Sequence, residues 1–111
     1  MGRVLEVCVD SVESAASAAR GGATRLELCA NLVIGGTSPD EDLFHMVRER
    51  VDIPIRVLLR PRFGDFLYSE EEFELLRRQV RRFAALGADG VVIGVLRPDG
   101  ALDEARMAEL I

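Results

Sequence analysis

The chain has 111 residues, 49% of them hydrophobic and 30% charged, with a formal net charge of −5. That balance fits one soluble domain with a modest core and supplies no basic field for nucleic acid. No apolar run approaches the roughly 20 residues that cross a bilayer, so no membrane partner is expected.

All 14 basic residues are arginine, so a lysine Schiff base has no donor in this sequence. The first strand pattern starts almost at the N-terminus, which leaves no room for a signal peptide, and the expected location is cytoplasmic. Position 6 is Glu6, where a myristoylation signal behind Met1-Gly2 would need Ser or Thr. Two cysteines without an export signal read as reduced thiols.

The first predicted strand runs through Leu5-Glu6-Val7-Cys8-Val9. Asp10, with Glu13 three residues on, predicts a capping box for a helix over Ala15, Ala16, Ala18 and Ala19 that stops at Gly21-Gly22. The second strand spans Arg25 to Cys29, and Asn31 to Thr37 forms a loop containing Gly35-Gly36. Ser38-Pro39-Asp40-Glu41 predicts a helix start with Ser38 at the cap, and Leu43, Val47 and Val51 form its buried stripe. Pro54 leads into the third strand, Ile55 to Leu59, and Arg60 to Phe66 follow as a loop. Ser69 to Glu72 is another capping box, for a helix that buries Phe73, Leu76, Val80 and Phe83 and ends at Gly87. A fourth, almost wholly apolar strand covers Gly90 to Val95, a turn follows at Pro98-Asp99-Gly100, and Asp103 caps a helix through Met107 and Leu110. Four strands alternating with four helices predict a parallel sheet in the order 1-2-3-4, curved, with every helix on its outer side. The reading is one domain over residues 1–111, cut short in its fourth helix.

Leu5-Glu6-Val7-Cys8 is echoed by Leu26-Glu27-Leu28-Cys29. Side chains alternate along a strand, so both copies present Glu-x-Cys on one face. Glu6 and Glu27, if about 5 Å apart at an effective dielectric of 20, repel by about 3 kcal/mol. A cation between them would keep both ionised, and Arg60 is the expected one, with Arg62 beside it. The pair reads either as a structural ion network or as an acid-base site. Cys8 and Cys29 are expected at one level of this face. Free cysteine usually behaves as a small buried hydrophobe, but paired soft thiolates select Cu(I). Four ligands for zinc are not found on this face. Arg60, Arg62, Asp65 and Asn31 follow strand ends as candidate anion- or ligand-binding residues, of which the two arginines would clamp a carboxylate or phosphate or simply balance Glu6, Glu27 and Asp65. His45 reads as a surface residue, Met46 and Met107 as fill, and Arg77-Arg78 and Arg81-Arg82 as a solvated helix face. Gly35-Gly36 is too short to read as a phosphate loop.

Leu5 to Ser11, Gly21-Gly22-Ala23, Arg25 to Cys29, Gly35-Gly36-Thr37, Arg60-Pro61-Arg62, Gly64-Asp65-Phe66, Tyr68-Ser69 and Gly87-Ala88-Asp89-Gly90 together resemble the copper homeostasis protein CutC family. The resemblance runs along the whole chain, with one departure at Phe63, where a glycine is common and where the larger side chain narrows the approach to the loop. It implies an α/β, (β/α)8 TIM-barrel fold of which this chain supplies the first four βα units, a half barrel. The family's later histidine-arginine motif and glycine-rich loops are absent from these residues. The resemblance further implies copper homeostasis, with Cu(I) as the ion carried and Cys8 and Cys29 as its candidate ligands. A copper ion and a homo-oligomeric partner are expected. The second reading is a barrel enzyme on a small anionic ligand, with Arg60 and Arg62 binding the anion and Glu6 or Glu27 moving a proton. The third is an inactive fragment of the barrel.

Overall fold

The computed structural model describes residues 2–111. Met1, and with it half of the Met1-Gly2 start, lies outside the described residues. Four strands, β1 (Glu6–Val9), β2 (Arg25–Leu28), β3 (Ile55–Leu58) and β4 (Gly90–Val92), alternate with the helices α1 (Val12–Arg20), α2 (Glu41–Arg50), α3 (Glu70–Ala85) and α4 (Glu104–Leu110). All strand pairs are parallel and the order is β1-β2-β3-β4, as the alternation of patterns predicts. No described helix is long and apolar enough to cross a membrane.

Strand parity divides the sheet into two unlike faces. Val9, Leu26, Leu28, Ile55, Val57 and Leu59 are all at most 2% exposed and form the core with Phe44, Val47, Phe73, Leu76 and Phe83 of the helices. The opposite parity carries Cys8 and Arg56, both exposed, with Glu6, Arg25 and Glu27 half-buried. The helices therefore cover one face only, and the concave face of this half barrel carries the polar residues.

Two helix starts differ from expectation for one physical reason: each offers two capping residues close in sequence, and a tertiary partner takes one of them. At α1 the cap is Ser11, whose Oγ accepts from the Ser14 amide at 3.0 Å while the Ser14 Oγ accepts from the Ser11 amide at 3.2 Å. Asp10 instead accepts from the Leu32 amide at 3.2 Å, tying the loop after β2 to the end of β1. At α2 the cap is Asp40, which accepts from the Leu43 amide at 2.7 Å. Ser38 accepts from the Arg60 amide at 2.8 Å and donates to Gln79 at 2.9 Å, joining β3 to α3. In α2 the fully buried residues are Phe44 and Val47, with Leu43 only partly covered. The Ser69–Glu72 capping box forms as expected. β4 ends three residues early. Beyond Val92 the backbone turns to the loops: the Leu96 amide donates to Phe66 O and the Asp103 amide to Val95 O, both at 2.9 Å.

Candidate functional site

The concave face is ordered by strand register. Glu6 stands level with Arg25, Cys8 with Glu27, Glu27 with Arg56, and Arg56 with Gly90. The two Glu-x-Cys copies are thus two residues out of step, and Cys8 faces a glutamate rather than the second thiol. Staggered pairing is what a sheet closing into a barrel requires, since strands must tilt and slip to curve. Cys29 continues the same face one step higher, level with Asp10 by extension of the Val9–Leu28 pairing. The expectation of two thiols at one level is corrected by this stagger.

The expected role of Arg60 is corrected as well. The cation against Glu6 is Arg25, with Nε 2.5 Å from Oε2. Arg60 points the other way, into the loops above the sheet. Its two terminal nitrogens donate to Gly36 O at 2.8 Å, to Ile34 O at 3.5 Å and to Gly64 O at 2.6 Å. The guanidinium lies 5.1 Å from the Phe66 ring centroid, and its Nε is buried without a partner among the described residues. Arg62 is similarly engaged, 2.8 Å from Glu72 and 3.2 Å from Asp65, and donating to Asp65 O and Leu67 O. Asp65 also accepts from the Leu67 amide at 3.1 Å. Asn31, left-handed at φ 54°, donates to the Thr37 hydroxyl at 2.9 Å and so closes its own loop. Each of the four proposed anion-binding residues thus holds a loop in this structure. Tyr68, also in the β3–α3 loop, is buried with its hydroxyl unpartnered among the described residues.

Residues that strand reading passes over complete the site. Gly36, at φ 93°, lays its backbone directly over Cys29: a Cβ there would stand 2.9 Å from Leu58 Cδ2 and 3.5 Å from Cys29 Sγ. Cys29 is fully buried under this turn, and its thiol lies 3.5 Å from Val9 O, to which it donates. Arg56 leans over Gly90, where a Cβ would meet its side chain at 3.3 Å. Its inner-face parity is readable in Ile55-Arg56-Val57, but its lack of a carboxylate partner within the described residues is not.

The electrostatics follow from this packing. Burial, then the charges of Glu27 and Glu6, push the Cys8 thiol above its usual value. Burial, then Cys8, Glu27 and Asp10, push Cys29 up to about 12. Both thiols therefore hold their protons at neutral pH. Burial and the Glu6 charge raise the Glu27 carboxyl, while the Cys8 thiol works against both. Among the described residues no three of His, Cys, Asp and Glu are grouped as metal ligands. A soft ion on this face would be held by few donors, which the two-coordinate preference of thiolate-bound Cu(I) permits.

The CutC family model matches residues 3–111. The chain belongs to the CutC family. It is 48% identical over 110 residues to the mouse copper homeostasis protein cutC homolog, covering 99% of this chain and 40% of the relative. The human homolog is 50% identical over 103 residues, with 93% and 38% covered. A CutC family protein of Xanthomonas campestris is 50% identical over 107 residues, with 96% and 45% covered. The chain thus spans less than half the length of these relatives. The solved structure of CutC from Streptococcus agalactiae superposes with a TM-score of 0.86 at 26% identity, over 98% of this chain and 54% of that one. An N-acetylmannosamine-6-phosphate 2-epimerase from Clostridium perfringens gives 0.55 at 18% identity, a likeness of fold alone. The CutC superposition places the four βα units as a half barrel within the (β/α)8 architecture.

Proposed function

We propose that this chain serves copper homeostasis by taking up Cu(I), its cargo, on the concave face through Cys8 and Cys29. The observation that carries the reading is the placement of both thiols on one face of adjacent parallel strands, Cys8 open to solvent and Cys29 one step higher beneath the Gly36 turn. The copper homeostasis in the names of the CutC relatives supports its copper part. Soft thiolates discriminate for Cu(I) against harder ions, and Cu(I) persists in a reducing compartment such as the cytoplasm. Because both thiols are protonated at neutral pH, each must release its proton to the ion, and affinity rises with pH. Competition with a Cu(I) chelator under argon tests this. Cys8→Ser and Cys29→Ser should each weaken binding by at least tenfold. Wild-type affinity in both variants would remove the thiols as ligands.

The second reading, a small anion at Arg60 and Arg62 with Glu6 or Glu27 moving a proton, draws support from the raised Glu27 carboxyl. It requires Arg60 to exchange a loop carbonyl for the anion. Such a site would survive the Cys8→Ser, Cys29→Ser double substitution, which separates the two readings.

A further inference from the structure

We infer that Arg60 is a latch: it holds the Gly35-Gly36 turn closed over Cys29 and so decides when the second thiol can be reached. The inference rests on the thiol reading of the site, but its geometry stands without copper. Cys29 has no exposed surface, while Cys8 on the neighbouring strand is open. The Gly36 backbone lies against Cys29, close enough that a Cβ there would stand 3.5 Å from its Sγ and 2.9 Å from Leu58 Cδ2. Asp10 holds the start of this loop at the Leu32 amide and Asn31 bonds Thr37 across it, while Arg60, from a different strand end, holds the carbonyls of the turn itself. Arg60 donates to Gly36 O at 2.8 Å and to Ile34 O at 3.5 Å on the turn, and to Gly64 O at 2.6 Å on the next loop. One planar guanidinium thus bridges both loops, a geometry that a lysine ammonium does not reproduce.

The latch is also poised to open. The Arg60 Nε–H is buried with no acceptor among the described residues, and an unsatisfied buried donor offsets part of what the carbonyl bonds contribute. The turn's own closure is short: Ala30 and Thr37 exchange amide-carbonyl bonds at 2.8 Å and 2.7 Å, with Gly35 and Gly36 both at positive φ between them. Freeing Arg60 from Gly36 O would let the turn hinge away from Cys29 on its Asp10–Leu32 tie, its internal Asn31–Gly36 bond kept and β2 unbroken. Cu(I) would then meet Cys8 first, displacing its proton to solvent, and be joined by Cys29 as the turn lifts, the Cys29 proton leaving to solvent in turn.

Labelling of the copper-free protein by a maleimide dye, read by peptide mapping, tests the latch. In the wild type Cys8 should label fast and Cys29 slowly. The slow phase should depend only weakly on denaturant, as local opening does. Arg60→Met should speed Cys29 at least tenfold and leave Cys8 unchanged, and Arg60→Lys should not restore protection. An unchanged Cys29 rate in Arg60→Met overturns the inference. So does a wild-type Cys29 rate with the full denaturant dependence of global unfolding, which needs no variant to fold. If the latch behaves as described but chelator competition finds no copper, the copper reading fails while the latch stands.

Discussion

Glu27 carries the least favourable charge on the concave face, because burial and Glu6 both oppose its ionisation. A carboxyl whose value is raised by folding lets the folded state keep a proton that the unfolded chain releases. Its stabilising contribution is therefore full below the ordinary carboxylate range and is lost as pH rises through the raised value. Glu27→Gln should stabilise the protein at pH 7, and the gain should shrink as pH falls through the raised value and be gone below the ordinary carboxylate range, as thermal melts across that range would read. Arg25→Met takes away the cation 2.5 Å from Glu6, leaving Glu6 to act on Glu27 unopposed. We expect a loss of about 1 kcal/mol at pH 7, smaller in acid. Arg60→Met should leave the shape of the pH profile as it is, because Arg60 touches neither glutamate. Sequence alone puts Glu6, Cys8 and Glu27 on one face, since parity is a local property. It cannot pair them with the right cation: Arg25 and Arg60 share the inner parity, and only register and loop course separate their roles.

At the level of elements, local signals located every strand and α-helix but not every boundary, and the short 3-10 turn at Leu32–Ile34 read only as loop. Asp10-Ser11 and Ser38-Pro39-Asp40 each present more than one cap, and the choice falls to whichever residue a distant backbone amide does not claim. Ser11→Ala and Ser69→Ala should each cost about 1 kcal/mol by urea titration. Asp10→Ala should loosen the loop at Leu32 and leave the α1 cap in place, a difference visible in amide exchange. Gly35-Gly36 was unreadable as a site for a related reason: a glycine that lets backbone rest on a side chain shows nothing until the partner is known. Gly36→Ala forces a left-handed non-glycine residue and a 2.9 Å approach to Leu58. It should cost roughly 1–3 kcal/mol, and it should raise Cys29 labelling, since the turn cannot settle.

Over the whole molecule, four βα units make a sheet with helices on one face and two strand edges, β1 and β4, left open. Unpaired edges recruit further strands. Arg56 lies over Gly90 without a carboxylate partner among the described residues, pointing a cation toward the β4 side. We expect the 111-residue chain, produced alone, to self-associate through these edges. Light scattering should give twice the chain mass, and Arg56→Glu should weaken the pairing; a dilute monomer would contradict this. The half barrel was legible because alternating patterns dictate topology. The stagger between β1 and β2 was not, because no single strand encodes its slip against a neighbour. That slip makes the two thiols unequal, one open and one roofed, and the account depends on both serving one ion. X-ray absorption at the copper edge, on protein loaded with one Cu(I) per chain, tests this most directly. The account predicts a first shell of two sulfur atoms that falls to one in Cys29→Ser. A shell of nitrogen or oxygen donors, or a spectrum that Cys29→Ser leaves unchanged, would contradict it.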